Sequence, residues 1–177
     1  MGITRPLIAE LERESVATRK VLERIPEEML DWRPHPTSMS LGQLALHVAA
    51  VPGAIADMVK LDETAPPDFG ERPSPESPDE VLRVFESSLA NALATLEAMD
   101  DDQATARWRV VRGGEELMAM PKVGFVRFVM LNHWYHHRGQ LCVYLRMLGI
   151  PVPAVYGASA DENLFERGGP AEDRGTT

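Results

Sequence analysis

Apolar residues recur at three- and four-residue spacing in four stretches of the chain, separated by segments rich in proline, glycine and charge. That pattern predicts amphipathic helices joined by loops. In the first stretch Ile8, Leu11, Ser15, Thr18, Leu22 and Ile25 share a face, while Glu12, Arg13, Arg19, Lys20 and Glu23 fill the other. Thr4 is the expected cap, Pro6 is tolerated in the first turn, and Pro26 ends the helix. Ser15 and Thr18 make its seam semi-polar, which reads as loose helix packing or as the lining of a cavity. Three prolines keep 26–39 irregular, with Trp32 as a hydrophobic plug and His35 exposed between Pro34 and Pro36.

Ser40-Leu-Gly-Gln43 is a capping box that opens helix two, whose inner stripe is Leu44, His47, Val48, Val51, Ile55, Met58 and Val59. Pro52 removes the amide that would bond Val48, so a bend is expected beyond His47, read first as shaping the bundle and second as giving access to a site. A long acidic crossover loop, Asp62 to Ser77, leads to a second capping box, Ser77-Pro-Asp-Glu80, and to helix three, which is read as core only. Asp100 to Met120 breaks the helical period: two extended arms flank Arg112-Gly-Gly-Glu115, the pattern of a short hairpin. Pro121 opens helix four, which stops at Gly149 before Pro151. Val152, Val155 and Tyr156 are expected to pack on the helices. The predicted fold class is therefore all-α: a four-helix bundle with long crossover loops and a short β-like hairpin before the last helix. Residues 1–165 form one domain, and the polar tail 166–177 is expected to be disordered.

The most informative residues are His133-Trp-Tyr-His-His137-Arg-Gly-Gln140 in helix four. His133 and His137 are four apart and stand one above the other on one helix face. At roughly 100° per residue, His137 falls inside the stripe of Val126, Met130, Tyr144 and Leu148, His136 lies on its flank, and Arg138 and Cys142 point away. Two imidazoles so placed can hold a divalent metal from one side. The plainer alternative is a pair of core or interface histidines bonded to carbonyls or water. His47, the other histidine on an apolar helix face, is the natural third ligand.

The totals narrow the partners. A chain of 177 residues with 44% hydrophobic content can bury one substantial core. A net charge of −9 without a Lys/Arg stripe argues against nucleic acid as a partner. Cys142 is the sole cysteine, so there is neither an intrachain disulfide nor a cysteine cluster, which fits the cytoplasm. No run of eighteen apolar residues exists and the N-terminus has no signal core, so no membrane span is expected.

With these motifs in hand the chain resembles the DinB-like superfamily, the group of DinB-type and bacillithiol-transferase-type proteins. The resemblance runs from helix one to about Glu162 and rests on Asp31-Trp-Arg-Pro34, Leu41-Gly-Gln-Leu-Ala-Leu-His47, Asn132-His-Trp-Tyr-His-His-Arg-Gly-Gln140, Tyr144-Leu-Arg-Met-Leu-Gly149 and Pro153-Ala-Val-Tyr-Gly157. It implies a four-helix bundle with a three-histidine divalent metal site, often a homodimer, with His47, His133 and His137 as ligands. Zinc or nickel is the metal expected.

Three neutral imidazoles leave a dication uncompensated and a position open. Such a centre activates water for hydrolysis or holds a thiolate for transfer, so the substrate expected is a small molecule or a thiol. Trp134 stands where a His-Glu-x-x-His protease carries its base. Tyr135, Asn132, Gln43 and Gln140 are the candidate supports of the ligands, Gln43 being one turn before His47. Arg138 is assigned to packing or a dimer contact and Gly139 to close helix approach. The alternative to an enzyme is a non-catalytic metal-stabilised bundle or small-molecule-binding protein.

Overall fold

The computed structural model describes residues 2–68, 70 and 72–163. The tail expected to be disordered lies outside them. The fold is mostly helical with a small three-stranded sheet. In chain order it comprises α1 (Arg5–Leu22), a short 3-10 turn (Glu27–Met29), α2 (Leu41–Lys60), β1 (Glu63–Thr64), α3 (Pro78–Ala98), α4 (Asp101–Thr105), β2 (Arg107–Arg112), β3 (Glu115–Pro121), α5 (Lys122–Phe125), a π-wound segment (Val126–His133) and α6 (Trp134–Met147). The last three run on as one helix, because the residues that join them keep helical backbone angles. α2 packs on both α3 and this last helix, and α1 packs on α3 and α6.

Local chemistry sets the ends of these elements. Ser40 Oγ accepts the Gln43 amide at 3.2 Å and Gln43 Oε1 accepts the Ser40 amide at 3.0 Å, a complete capping box. The second expected box is only half made: Ser77 Oγ caps the Glu80 amide, but the Glu80 carboxylate accepts from Glu76 N instead. Thr4 occupies the cap position of α1 without a side-chain cap bond, and α1 stops at Leu22, before Pro26. Gly149, at φ 73°, ends α6 while Ile150 N donates back to Leu145 O.

The hairpin is present. Gly113 and Gly114, at φ 58° and 86°, supply the two left-handed positions of a tight turn that matches strand twist. The sheet order is β1-β2-β3, and β1 pairs parallel to β2. The start of the crossover loop thus adds a strand to the hairpin, which the alternation of so short a segment does not reveal. Trp108 anchors this sheet by stacking on Phe125 with ring centroids 3.7 Å apart and donating Nε1–H to Met58 O.

The break at Pro52 is repaired from two neighbouring helices. Proline has no amide, so the carbonyl of Val48 loses its helical donor. Trp134 Nε1–H takes that place, donating to Val48 O at 2.8 Å. On the next residue, Gly53 N–H donates to Ser88 Oγ at 2.7 Å, Ser88 Oγ donates to Ala50 O, and Asn91 Nδ2 donates to Gly53 O. A Cβ on Gly53 would lie 2.8 Å from Ser88 Cα, so glycine is what lets α3 approach. Pro52 therefore ties α2 to both partners, and α3 supplies polar clasps as well as core. An unmade bond to a buried carbonyl costs about 1–3 kcal/mol, which is what the Trp134 clasp avoids.

α2 is also long and apolar enough to cross a membrane by length and composition. Most of that stretch is buried against the other helices, where it forms the centre of the core with Leu44, Val48, Ala49 and Ala56 fully enclosed.

Candidate metal centre

The π-wound segment decides which residues of the last helix face inward. At a constant α-helical period, the buried Val126 and Met130 would be followed by His133, His137 and Tyr144. Bonding to the fifth residue adds a residue to the turn and retards the face. Beyond it the buried line is Trp134, Arg138, Leu141 and Leu145, one residue later than the even period predicts. The histidine pair consequently sits on the flank of the stripe, half-buried, and Arg138 sits in its middle.

α2 brings His47 against that flank. His47 Nε2 lies 3.0 Å from His133 Nε2. The rings of His47, His133 and His137 meet nearly at right angles, at centroid separations of 5.3, 4.6 and 4.3 Å. One ligand nitrogen from each falls within 4.8 Å of the others, an arrangement that can hold a metal ion. Zn–N bonds of about 2.0–2.1 Å in a tetrahedron place neighbouring nitrogens about 3.3 Å apart, near the 3.0 Å between His47 and His133. Two neutral imidazoles can share only one proton across the 3.0 Å contact, and a cation satisfies all three nitrogens together. Among the described residues no Asp, Glu or Cys joins the group.

The electrostatics agree with a ligand role. Burial, followed by the neighbouring imidazoles, lowers His47 from its ordinary 6.5 to about 4. Burial likewise takes His137 to about 4 against an opposing pull from Gln140, and lowers His133. Near neutrality all three rings are uncharged, the form that binds metal.

The supporting residues sort themselves by contact. His137 Nδ1 meets Gln140 Oε1 at 2.7 Å, which fixes the proton on Nδ1 and frees Nε2 for the centre. Gln43 is committed elsewhere: its Oε1 caps Ser40 and its Nε2 donates to Arg72 O at 3.1 Å. Tyr135 OH donates to Glu10 Oε1 at 3.0 Å, and burial with that carboxylate raises its phenol pKa, so it is a donor and not a base. Asn132 is exposed. His136 touches the His137 ring edge but is exposed, and His35 is an exposed loop residue bonded to Thr37. Trp32 packs edge-on to Tyr144 as a plug, with ring centroids at 5.6 Å.

Two expectations fail. Arg138 does serve packing, but within the buried stripe and not away from it: it is 2% exposed, and Nη2 binds Glu14 Oε2 at 2.7 Å while Nη1 donates to Thr18 Oγ1 at 3.1 Å. Tyr156 OH completes the cluster, 2.6 Å from Arg138 and 2.9 Å from Glu14. The semi-polar seam of α1 is thus the seat of a buried arginine. Gly139 is not a close-approach glycine, since a Cβ there would meet nothing within 4 Å. Cys142 is half-buried, and burial raises its thiol pKa, so it is not poised as a thiolate.

Three imidazoles line one wall of a cavity of about 460 Å³, together with Met39, Gln43, Leu46, Ala50, Pro67, Asp68, Arg72 and Pro73. Fold and site together define a small helical protein with an open three-histidine pocket. The chain belongs to the DinB family, whose sequence pattern matches residues 3–168. It is 28% identical over 151 residues to the uncharacterized protein YrdA of Bacillus subtilis, covering 85% of this chain and 86% of that one. A DinB-like protein of Bacillus cereus has the same fold at TM-score 0.66 and 25% identity, covering 84% of this chain and 94% of its own. The DinB-like protein YjoA of Bacillus subtilis superposes at TM-score 0.66 with 20% identity, over 85% and 96% of the two chains.

Proposed function

We propose that this protein is a divalent-metal-dependent enzyme of small-molecule chemistry, with His47, His133 and His137 as ligands in a four-helix bundle. The observation that carries the reading is the convergence of three uncharged imidazoles on the wall of a cavity, not in a closed core. A structural site closes its coordination with protein groups, whereas a catalytic site keeps a position for water or substrate. Here the described residues supply three donors, and the fourth direction belongs to the cavity.

The metal, zinc or nickel by its imidazole donors, supplies a Lewis-acid position that favours the deprotonated form of a ligating water or thiol. The chain's own residues do the rest. Gln140 holds His137 in the tautomer that offers Nε2. Trp134, bonded to Val48 O, fixes the last helix against α2 within one residue of His133. Leu46, Ala50, Met39 and the prolines of the crossover loop give the substrate an apolar bed. The pocket supports thiol-dependent transfer and hydrolysis alike, in a homodimer as the family resemblance implies and in the cytoplasm, which the single Cys142 fits.

Elemental mass spectrometry of tag-free protein tests the proposal. About one equivalent of a single transition metal per chain is expected, and His47→Ala or His137→Ala should lose it while remaining folded. Wild-type protein that contains no metal and takes up none on titration overturns it.

A further inference from the structure

One charged side chain in the cavity is not used by the imidazole site or by the fold. Arg72 comes from the crossover loop and lines the same cavity as the three histidines. Arg72 is exposed, and no ion pair is found for its guanidinium among the described residues. Gln43, one turn before His47, donates to Arg72 O. Three residues on, Pro75 is buried against the start of α2, where a Cβ on Gly42 would meet it at 3.0 Å. The loop is therefore pinned at both points, and the side chain of Arg72 is left to the cavity.

Its charge reaches the centre. Arg72 acts electrostatically on both His47 and His137. Asp68 also lines the cavity, but its Oδ1 accepts the Gly70 amide. With a dication on three neutral ligands, the pocket would carry positive charge at the imidazoles and again at Arg72, against the single carboxylate of Asp68. The rest of its lining includes Met39, Leu46, Ala50, Pro67 and Pro73.

We infer that Arg72 is a specificity residue that selects a small carboxylate-bearing substrate, seated with its reacting end at the three histidines and its carboxylate on the guanidinium. The inference rests on the metal-centre reading above and names the substrate class of the same site. A planar guanidinium matches a carboxylate with two parallel hydrogen bonds. A phosphate dianion is the poorer match, because one cation faces it and Asp68 opposes it. A wholly neutral substrate would leave the guanidinium without a counter-charge.

The test uses cobalt-loaded full-length protein and two probes of equal length, 3-mercaptopropionate and 3-mercaptopropan-1-ol, followed by the cobalt–thiolate absorption. Arg72→Gln is compared with wild type, and Arg72→Lys serves as the charge-conserving variant. Arg72→Gln should weaken mercaptopropionate about 10-fold, the low end for a hydrogen bond to a charged group. The alcohol should be unchanged, and Arg72→Lys should restore part of the loss. Chelation and the ion's own charge act equally in both proteins, so only the change between them reports the guanidinium. Acetate should compete better than inorganic phosphate. Equal losses for both thiols, no loss for either, or stronger competition by phosphate overturns the inference and leaves the metal centre standing. Wild-type protein that takes up no cobalt overturns both, and metal content measured before the probes separates that outcome.

Discussion

The last helix carries two polar pairs of identical spacing, displaced by one residue: His133 with His137, and Trp134 with Arg138. They face different parts of the molecule and end differently. Trp134 donates to Val48 O, and Arg138 is matched to Glu14, Thr18 and Tyr156, with its guanidinium also over the Tyr135 and Tyr156 rings at 5.2 and 5.1 Å. The protein completes every one of those contacts itself. Across the helix, the histidine nitrogens face one another and a cavity. Burying polar groups demands partners. A cluster satisfied internally holds the fold, whereas the histidine nitrogens converge on one another beside a cavity and could hold a metal ion.

Exchanging the injuries tests that division. Arg138→Met leaves the Glu14 carboxylate buried without its cation, and breaking such a pair costs about 3–5 kcal/mol. Urea denaturation should show a loss of that size, with metal stoichiometry unchanged in the folded fraction. Adding Glu14→Leu should recover much of it, because removing both charges is far cheaper than removing one. His137→Ala should show the reverse: metal lost, and metal-free stability nearly that of wild type. An Arg138→Met variant that folds normally but binds no metal would erase the distinction between the clusters.

A smaller effect sharpens the same contrast from within the site. Gln140→Leu removes the acceptor that fixes the His137 tautomer without touching the core, since Gln140 is exposed. Outer supports of metal ligands are worth about 10- to 100-fold in affinity. Competition against a chromogenic chelator should place Gln140→Leu in that range, with urea midpoints unmoved. An affinity equal to wild type would mean that the bond at 2.7 Å does not orient the ring.

These two clusters also mark how much of the site is legible in the sequence. The spacing of His133 and His137 and the place of His47 on an apolar stripe are local facts, and they lead to the group that the fold assembles. Arg138 was misplaced because the even period of 100° per residue does not hold through Val126–His133. Nothing in Val-Arg-Phe-Val-Met-Leu-Asn-His announces a wider turn. The partner of Arg138 shows in the sequence only as a semi-polar seam at Ser15 and Thr18, and the period assigns Glu14 beside it to neither face. Arg72 had no signal at all. It sits in a proline-rich loop with no period, and its position depends on Pro75 meeting Gly42.

The smallest effect is a pH dependence, and its sign follows from burial. His47 and His137 titrate near 4 in the folded protein against an ordinary 6.5, and His133 is lowered in the same sense. In metal-free protein, the unfolded chain takes up protons as the pH falls below about 6.5, and the folded site resists until about 4. The unfolded state therefore binds more protons across that window, so stability rises with pH through it and is level above. The rings are half-exposed, so solvent trims the amplitude. Urea midpoints of the metal-free protein, measured from pH 4 to 8, should climb to a plateau near 6.5. His47→Gln with His137→Gln should flatten that climb while leaving the plateau height close to wild type. A wild-type curve already flat between 4 and 6.5 would mean that the three rings protonate as freely folded as unfolded. The site would then lack the burial that keeps its imidazoles neutral for a metal.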